Sequence, residues 1–303
     1  MKSAFFAVGA VYDRAMFASE WAKCAVIDRA YSGARSRGFH PAAEHGSIKN
    51  GWLTASRRGM KETRPSLRIV TYNVHKCRGV DRRVRPDRIV EVLRELRPDI
   101  VALQEVVSLE GGSREEDQAR FVAGELGFHF AFGENRRHKG GRYGNVVLTR
   151  FPIQRHQNYD ISAGGRERRG CLRTDVRFDD STLHVFNVHF GTRFFEQRKQ
   201  ARKLCDEGII VNEELHGPRI VLGDFNEWLR GSVTSTLTAH LHKANVHPHL
   251  KKSRTFPGRF PIFRLDHIYF DRKLRLKRLV RHQSRTALVA SDHLPLVADL
   301  SLN

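Results

Sequence analysis

Cysteine is scarce in this chain: Cys24, Cys77, Cys171 and Cys205 are four in 303 residues, far apart and without a C-x-x-C pair. That spacing argues against a disulfide scaffold and a structural zinc site and is compatible with a reducing compartment. No apolar run approaches the roughly 18 residues of a membrane span, and no unit repeats along the chain. Acidic residues are also in short supply, 33 Asp and Glu against 53 Lys and Arg, for a net charge of +20. Such a balance favours polyanionic partners, nucleic acid or anionic phospholipid, and carries no information about the fold. Hydrophobic residues make up 40% of the chain, enough for a sizeable core.

Two regions differ in texture. Residues 1–65 hold 11 basic and five acidic residues and read as a basic extension or linker. One helix is expected over residues 15 to 27, with Phe17, Trp21 and Ala25 on a face, before a Gly-, Ser-, Arg- and His-rich stretch from Ser32 to Arg64. The opening Met1 to Val11 resembles the apolar core of an export signal, but Asp13 and Arg14 interrupt it. A cytoplasmic protein is the expectation, with export or peripheral membrane association left open. The oligomeric state is also left open, a monomer sufficing.

Residues 66–303 read as one α/β domain. Strands are expected at Leu67 to Val74, Asp99 to Glu105, Phe128 to Phe132, Asn145 to Thr149, Cys171 to Phe178 and Leu183 to His189. Further strands are expected at Pro218 to Leu222, Leu265 to Phe270, Leu274 to Val280 and Leu294 to Leu300. Helices are expected at Pro86 to Leu96, bracketed by Pro86 and Pro98, over residues 114 to 126, and for about 20 residues from Phe195. The first strand, helix and second strand form a crossover unit.

Polar residues end or flank these apolar runs: Asn73, Glu105, His189, Asp224 with Asn226, Asp266, and Asp292-His293. Singly, Glu105 reads first as a solvated strand end and His189 as a packed or surface histidine. Gly223-Asp224-Phe225-Asn226-Glu227 in particular reads either as an Asp-Asn turn or as an extended segment aiming Asp224 and Asn226 at one point. Together they form a chemically coherent set. Glu105 and Asp292 are hard oxygen donors suited to Mg²⁺ or Mn²⁺, His189 and His293 can donate to phosphate oxygens, and Asp266 can set the tautomer of His293 and raise its pKa. Asp224 is the candidate to orient or deprotonate a water. No serine or cysteine lies in a nucleophile context, so direct attack by water is favoured.

These stretches, Thr71-Tyr72-Asn73-Val74-His75, Leu103-Gln104-Glu105, Tyr143 to Ile153, Asn187-Val188-His189, Gly223-Asp224-Phe225-Asn226, Leu265-Asp266-His267-Ile268 and Ser291-Asp292-His293-Leu294-Pro295, together resemble the endonuclease/exonuclease/phosphatase superfamily in content and order. The resemblance covers about residues 67 to 300. It implies a four-layered α/β/β/α sandwich of two mixed sheets flanked by helices, and metal-dependent phosphoester hydrolysis at one edge between the sheets. By the same resemblance, Glu105 holds the divalent cation with Asn73, Asp292 lies at or near it, Asp224 positions the water, and Asn226 and His189 bind phosphate. Asp266 and His293 form the Asp-His pair, and Asn145 lines the site.

The resemblance leaves the substrate open. Val74-His75-Lys76 after Asn73, and His267 after Asp266, depart from the abasic-site endonuclease branch and disfavour that repair role. Three basic clusters, Arg78 with Arg82, Arg83 and Arg85, then Arg136, Arg137, Lys139 and Arg142, then Arg166, Arg168 and Arg169, suit a long polyanion or lipid headgroups. The leading expectation is a phosphodiester hydrolase of endonuclease or exonuclease type. A phospholipid or inositol-phosphate hydrolase and a catalytically silent polyanion-binding protein are the alternatives.

Overall fold

The computed structural model describes residues 66–228, 231–244 and 253–303. The described residues fall in one compact unit, Lys61–Asn303. The helix and linker expected before residue 66 lie outside the described residues.

Among the described residues twelve strands build two sheets. β1 (Ser66–Asn73), β2 (Ile100–Ser108), β3 (His129–His138), β4 (Gly141–Thr149), β11 (Leu274–Arg281) and β12 (Leu296–Leu302) form the first, in the order β11-β12-β1-β2-β4-β3. The second comprises β5 (Ile153–Asp160), β6 (Gly170–Phe178), β7 (Ser181–His189), β8 (Arg219–Asp224), β9 (His242–Lys243) and β10 (Asp266–Phe270), in the order β5-β6-β7-β8-β10-β9. Each sheet is mixed, with β1 parallel to β2 and β7 parallel to β8. The expected crossover between β1 and β2 is therefore present, through helix α1 (Pro86–Leu96).

Strand alternation sorts the residues into layers. Leu67, Ile69, Ile100, Ala102, Leu183, Val185, Ile220, Leu222, Ile268 and Phe270 turn inward and share one buried cluster between the sheets. Val70, Tyr72, Val101 and Leu103 turn outward to α1 and α2 (Gln118–Leu126). On the opposite flank Phe186, Val188, Val221 and Tyr269 pack under α3 (Phe194–Asp206) and α4 (Ser232–Thr238). The result is the four-layered sandwich. A short helix, α5 (Ala287–Ala290), precedes the last strand.

Several elements differ from expectation for identifiable reasons. β3 and β4 run longer and close into a hairpin whose Lys139-Gly140 turn has φ of 47° and 81°, the left-handed pair that suits a two-residue connection. The charged helix stops at Asp206, just before Gly208 at φ 67°, and α2 starts only at Gln118 because Ser113 and Glu116 form a turn instead. β5, of sequence IQRHQNYD, was not expected: it is an edge strand paired only with β6 and has little apolar alternation.

The two sheets are also joined by directional bonds near one edge. Gln104 Nε2 donates to Asn187 Oδ1 at 2.8 Å, and Asn187 Nδ2 donates to the carbonyls of Leu103 and Val146, each at 2.8 Å. Asn145 Nδ2 donates across to the Gly170 carbonyl at 3.0 Å. This amide seam is buried and lies directly beneath the polar ends of the strands.

Candidate active site

The inward columns of four strands end in polar residues. Leu67, Ile69 and Thr71 lead to Asn73; Leu183, Val185 and Asn187 lead to His189; Ile220 and Leu222 lead to Asp224; and on antiparallel β10, Phe270 and Ile268 lead back to Asp266. Register brings them to one edge, because Asp224 pairs with His189 on one side and Asp266 on the other.

Glu105 reaches the same point by a different route. By alternation it would follow Leu103 outward, but a bulge between Leu103 and Val106 inserts one residue, and Glu105 takes φ of 60°. Bulges re-aim side chains in this way, and left-handed backbone at a non-glycine costs about 1–3 kcal/mol. Glu105 thus sits within β2 and not at its end, contrary to the sequence expectation.

Asp224 is the hub. Its Oδ2 accepts from Asn73 Nδ2 at 3.0 Å and faces His293 Nε2 at 3.6 Å and His189 Nε2 at 3.8 Å; its Oδ1 accepts from the Asn226 backbone N–H at 2.9 Å. That last bond is the Asp-Asn turn. Asn226 has φ of 49°, so it reaches the pocket by a left-handed turn and not by strand periodicity. Its Nδ2 donates to the Phe190 carbonyl at 2.9 Å. Burial raises the Asp224 pKa against the pull of His293.

The pKa values of the two histidines are shifted in opposite directions. Burial alone would strip the proton from His293, but Asp266, whose Oδ2 lies 2.9 Å from Nδ1, and Asp224 hold it, lifting the pKa to about 10. Asp266 is braced in turn by Thr255 Oγ1 at 2.5 Å. His189 is pushed down to about 4 by burial and by Arg169, whose Nη1 stands 3.1 Å from His189 Nδ1. Arg169 can only donate, so Nδ1 accepts and the proton of the neutral ring lies on Nε2, toward Asp224.

Burial opposes ionisation of Glu105, yet its carboxyl is held well below the ordinary range by His189 when protonated and by the Lys76 ammonium, 2.8 Å from Oε2. Oε1 accepts from Asn73 Nδ2 at 3.2 Å. Asp292 is less enclosed: it faces His75 Nδ1 at 3.8 Å, and neighbouring Ser291 Oγ donates to the Asn73 carbonyl at 2.8 Å, which ties this loop to the end of β1. The hard-oxygen donors Glu105, Asn73 and Asp292 fit Mg²⁺ or Mn²⁺, and Lys76 already marks Glu105 as a place where positive charge is favoured. Asp224, Asp266 and His293 also bring ligand atoms within 4.8 Å of one another. An imidazolium has no lone pair to offer, however, so their arrangement serves proton holding better than metal binding.

These groups line a polar pocket of about 280 Å³ that includes Asn73, Glu105, His189, Asp224, Asn226 and His293. Asn145 is beneath it in the amide seam, and Asp292 is beside it. The wall contains residues that the sequence reading did not assign to the site: Lys76, Arg136, Tyr143, Glu167, Arg169 and Thr192. Tyr143 was within reach of sequence reasoning, since it lies two residues before Asn145 on the same face of β4. Arg169 was noted only as one of a basic row.

Residues 70–293 match the Endonuclease/Exonuclease/phosphatase family. The chain is 32% identical to Escherichia coli (strain K12) protein YbhP, described as uncharacterized, over 253 residues, 78% of this chain and 97% of that protein. Its fold is similar to that of an endonuclease/exonuclease/phosphatase from Beutenbergia cavernae, with a TM-score of 0.62 at 23% identity over 79% of this chain and 72% of that one. It is also similar to a mannosyl-6-phosphatase of Bacteroides thetaiotaomicron, with a TM-score of 0.61 at 18% identity over 78% and 100%.

Proposed function

The chain belongs to the endonuclease/exonuclease/phosphatase family, and from that premise we propose that it hydrolyses phosphodiesters by direct attack of water, with Mg²⁺ or Mn²⁺ held by Glu105, Asn73 and Asp292. Members of the family are phosphoester hydrolases and generally depend on a divalent metal. The observation that carries the proposal is the geometry of one buried carboxylate, Asp224, which faces His293 at 3.6 Å and His189 at 3.8 Å, two imidazoles whose pKa values are shifted up and down respectively. Unlike protonation states on adjacent groups divide the acid and base roles.

Asp224 orients the attacking water and accepts its proton as the new P–O bond forms and the bond to the leaving alcohol breaks. His293, fixed by Asp266, presents Nε2–H and a positive charge to the phosphate oxygens, where negative charge gathers. His189 adds a neutral Nε2–H donor, held in that tautomer by Arg169. Asn226 has one amide N–H on Phe190 and offers the other to phosphate, while Asn145 supports the wall from below. A bound divalent cation would supply charge neutralisation at the phosphate.

Nucleic acid and anionic phospholipid both contain the bond in question, so endonuclease or exonuclease action and phospholipid or inositol-phosphate hydrolysis use the same centre. The test is turnover of bis(p-nitrophenyl) phosphate by the full chain. It is expected to require Mg²⁺ or Mn²⁺, to stop with a chelator, and to be lost in Glu105→Ala and Asp224→Asn. Undiminished turnover after metal stripping would overturn the metal assignment, and no turnover of any phosphoester would leave a binding protein.

A further inference from the structure

Among the described residues six large apolar side chains are exposed, Val80, Phe194, Phe195, Val211, Phe260 and Ile262. Scattered exposed apolar residues are ordinary, but five of these six lie on segments that also carry residues of the pocket or residues that brace it. Val80 is in the loop that leaves Asn73. Phe194 and Phe195 open α3 directly after Thr192, a pocket residue. Phe260 and Ile262 belong to the segment whose Thr255 bonds Asp266 and whose Phe256 ring packs on His293, with centroids 4.9 Å apart. Phe195 is 74% and Phe260 80% exposed, so neither ring contributes to the core.

Each apolar tip has basic neighbours in sequence. Arg78, Arg82 and Arg83 flank Val80, Arg193, Arg198 and Lys199 flank the phenylalanine pair, and Arg259 precedes Phe260. These seven make no ion pair among the described residues. In the other two clusters Arg136 pairs with Glu167, Arg137 with Glu134 and Arg168 with Asp160, while Lys139, Arg142 and Arg166 make no ion pair among the described residues. Unpaired positive charge among the described residues therefore includes every basic residue named beside the apolar tips.

We propose that this rim docks the protein on an anionic phospholipid bilayer, with Phe194, Phe195, Phe260 and Ile262 entering the headgroup boundary and the adjoining arginines meeting lipid phosphates. Apolar tips ringed by cations suit an interface that is oily within and negative at its surface. The small polar pocket has room for a headgroup phosphate and offers little apolar surface to an acyl chain, so the chains stay in the bilayer while the rim sits on it. A single-stranded nucleic acid would instead call for ring faces open to stacking. Val80 and Ile262 have none, and Phe194 and Phe195 stand edge to face against each other at 78°, which leaves Phe260 as the single ring of the five tips without a ring partner among the described residues. No helix among the described residues is long and apolar enough to cross a membrane, so the contact is peripheral. The inference does not depend on the reaction assigned to the pocket.

The test is sedimentation of the full chain with vesicles of phosphatidylcholine alone and of phosphatidylcholine mixed equally with phosphatidylglycerol. The unmodified chain is expected to sediment with the mixed vesicles, less so as salt rises, and poorly with phosphatidylcholine alone. Phe194→Ala with Phe195→Ala, and separately Phe260→Ala, should each weaken partitioning about tenfold or more, and Arg198→Gln with Lys199→Gln several-fold. Turnover of the soluble ester should be unchanged in all of these variants. Vesicle binding that is absent, or indifferent to these substitutions, overturns the proposal, as does loss of binding to a single-stranded oligonucleotide in the same variants without an effect on vesicles. Rim-dependent vesicle binding without ester turnover would keep the docking surface and retire the hydrolase reading; turnover without vesicle binding would do the reverse.

Discussion

Replacing Asp266 by Asn isolates a single charge. Thr255 and His293 both bond Oδ2 of Asp266, and a single amide oxygen can accept from both, so Asn can keep the contacts and the shape while losing the negative charge. The pKa of His293, about 10 in place of the ordinary 6.5, corresponds to about 5 kcal/mol in favour of the imidazolium. Asp266 at 2.9 Å supplies more of this than Asp224 at 3.6 Å. With Asp266 neutral, the burial penalty opposes one remaining carboxylate, and the pKa falls. In the parent chain the imidazolium persists to high pH, so its rate should not fall between about pH 6 and pH 9 through this group. The variant should lose turnover by roughly 10²- to 10⁴-fold, with an alkaline limb shifted to lower pH. The assay is kcat against pH on the soluble ester, alongside the His293 ring signal followed by NMR. An unchanged limb, or a defect found only in KM, would refute the charge-holding role. The sign for stability follows the same titration: the raised pKa contributes fully below about pH 6.5 and is lost as pH climbs through about 10.

Other outcomes follow from the same geometry. Glu105→Gly should abolish metal-dependent turnover, and because glycine adopts φ of 60° without strain, the relief should offset part of the loss of the Lys76 ion pair and the Asn73 hydrogen bond in the thermal midpoint; a midpoint lowered further than by Glu105→Ala would contradict the strained-bulge reading. Gly223→Ala should cost several kcal/mol in a denaturant titration, since a Cβ at Gly223 would lie 1.9 Å from the Val188 carbonyl oxygen, at φ 147°. His189 resists protonation down to about pH 4, whereas an unfolded histidine protonates near 6.5. Stability should therefore fall as pH drops through that window, by up to about 3 kcal/mol, and His189→Gln should flatten the slope measured by urea titration.

What the chain discloses about itself depends on periodicity. Asn73, His189, Asp224 and Asp266 continue inward columns of aliphatic residues, so a period of two brings them to one edge, and their chemistry could be read as a set. Glu105 was legible by residue type alone, since the bulge that aims it breaks the period, and Asn226 was legible as a partner of Asp224 although its left-handed turn departs from the extended geometry. β5 gave no signal because an exposed edge strand needs no apolar face. Arg169, Glu167 and Lys76 were hidden for another reason: their roles arise from contacts between segments distant in sequence, and three arginines within four residues give no sign of which one turns toward His189.

The amide seam under the pocket has a mechanical consequence. Face-to-face sheets held by aliphatic contacts alone can glide past each other at little cost, because such contacts have no preferred direction. Gln104, Asn187 and Asn145 act as dowels at one end of that plane, fixing the separation of Glu105 on one plate from Asp224 and His189 on the other. The far end, filled by residues such as Leu183, Leu276 and Leu300, is free to repack. Truncations there should lower the unfolding temperature and leave the rate per folded molecule almost untouched, whereas Asn187→Leu, nearly equal in bulk, should slow turnover in a chain that still folds.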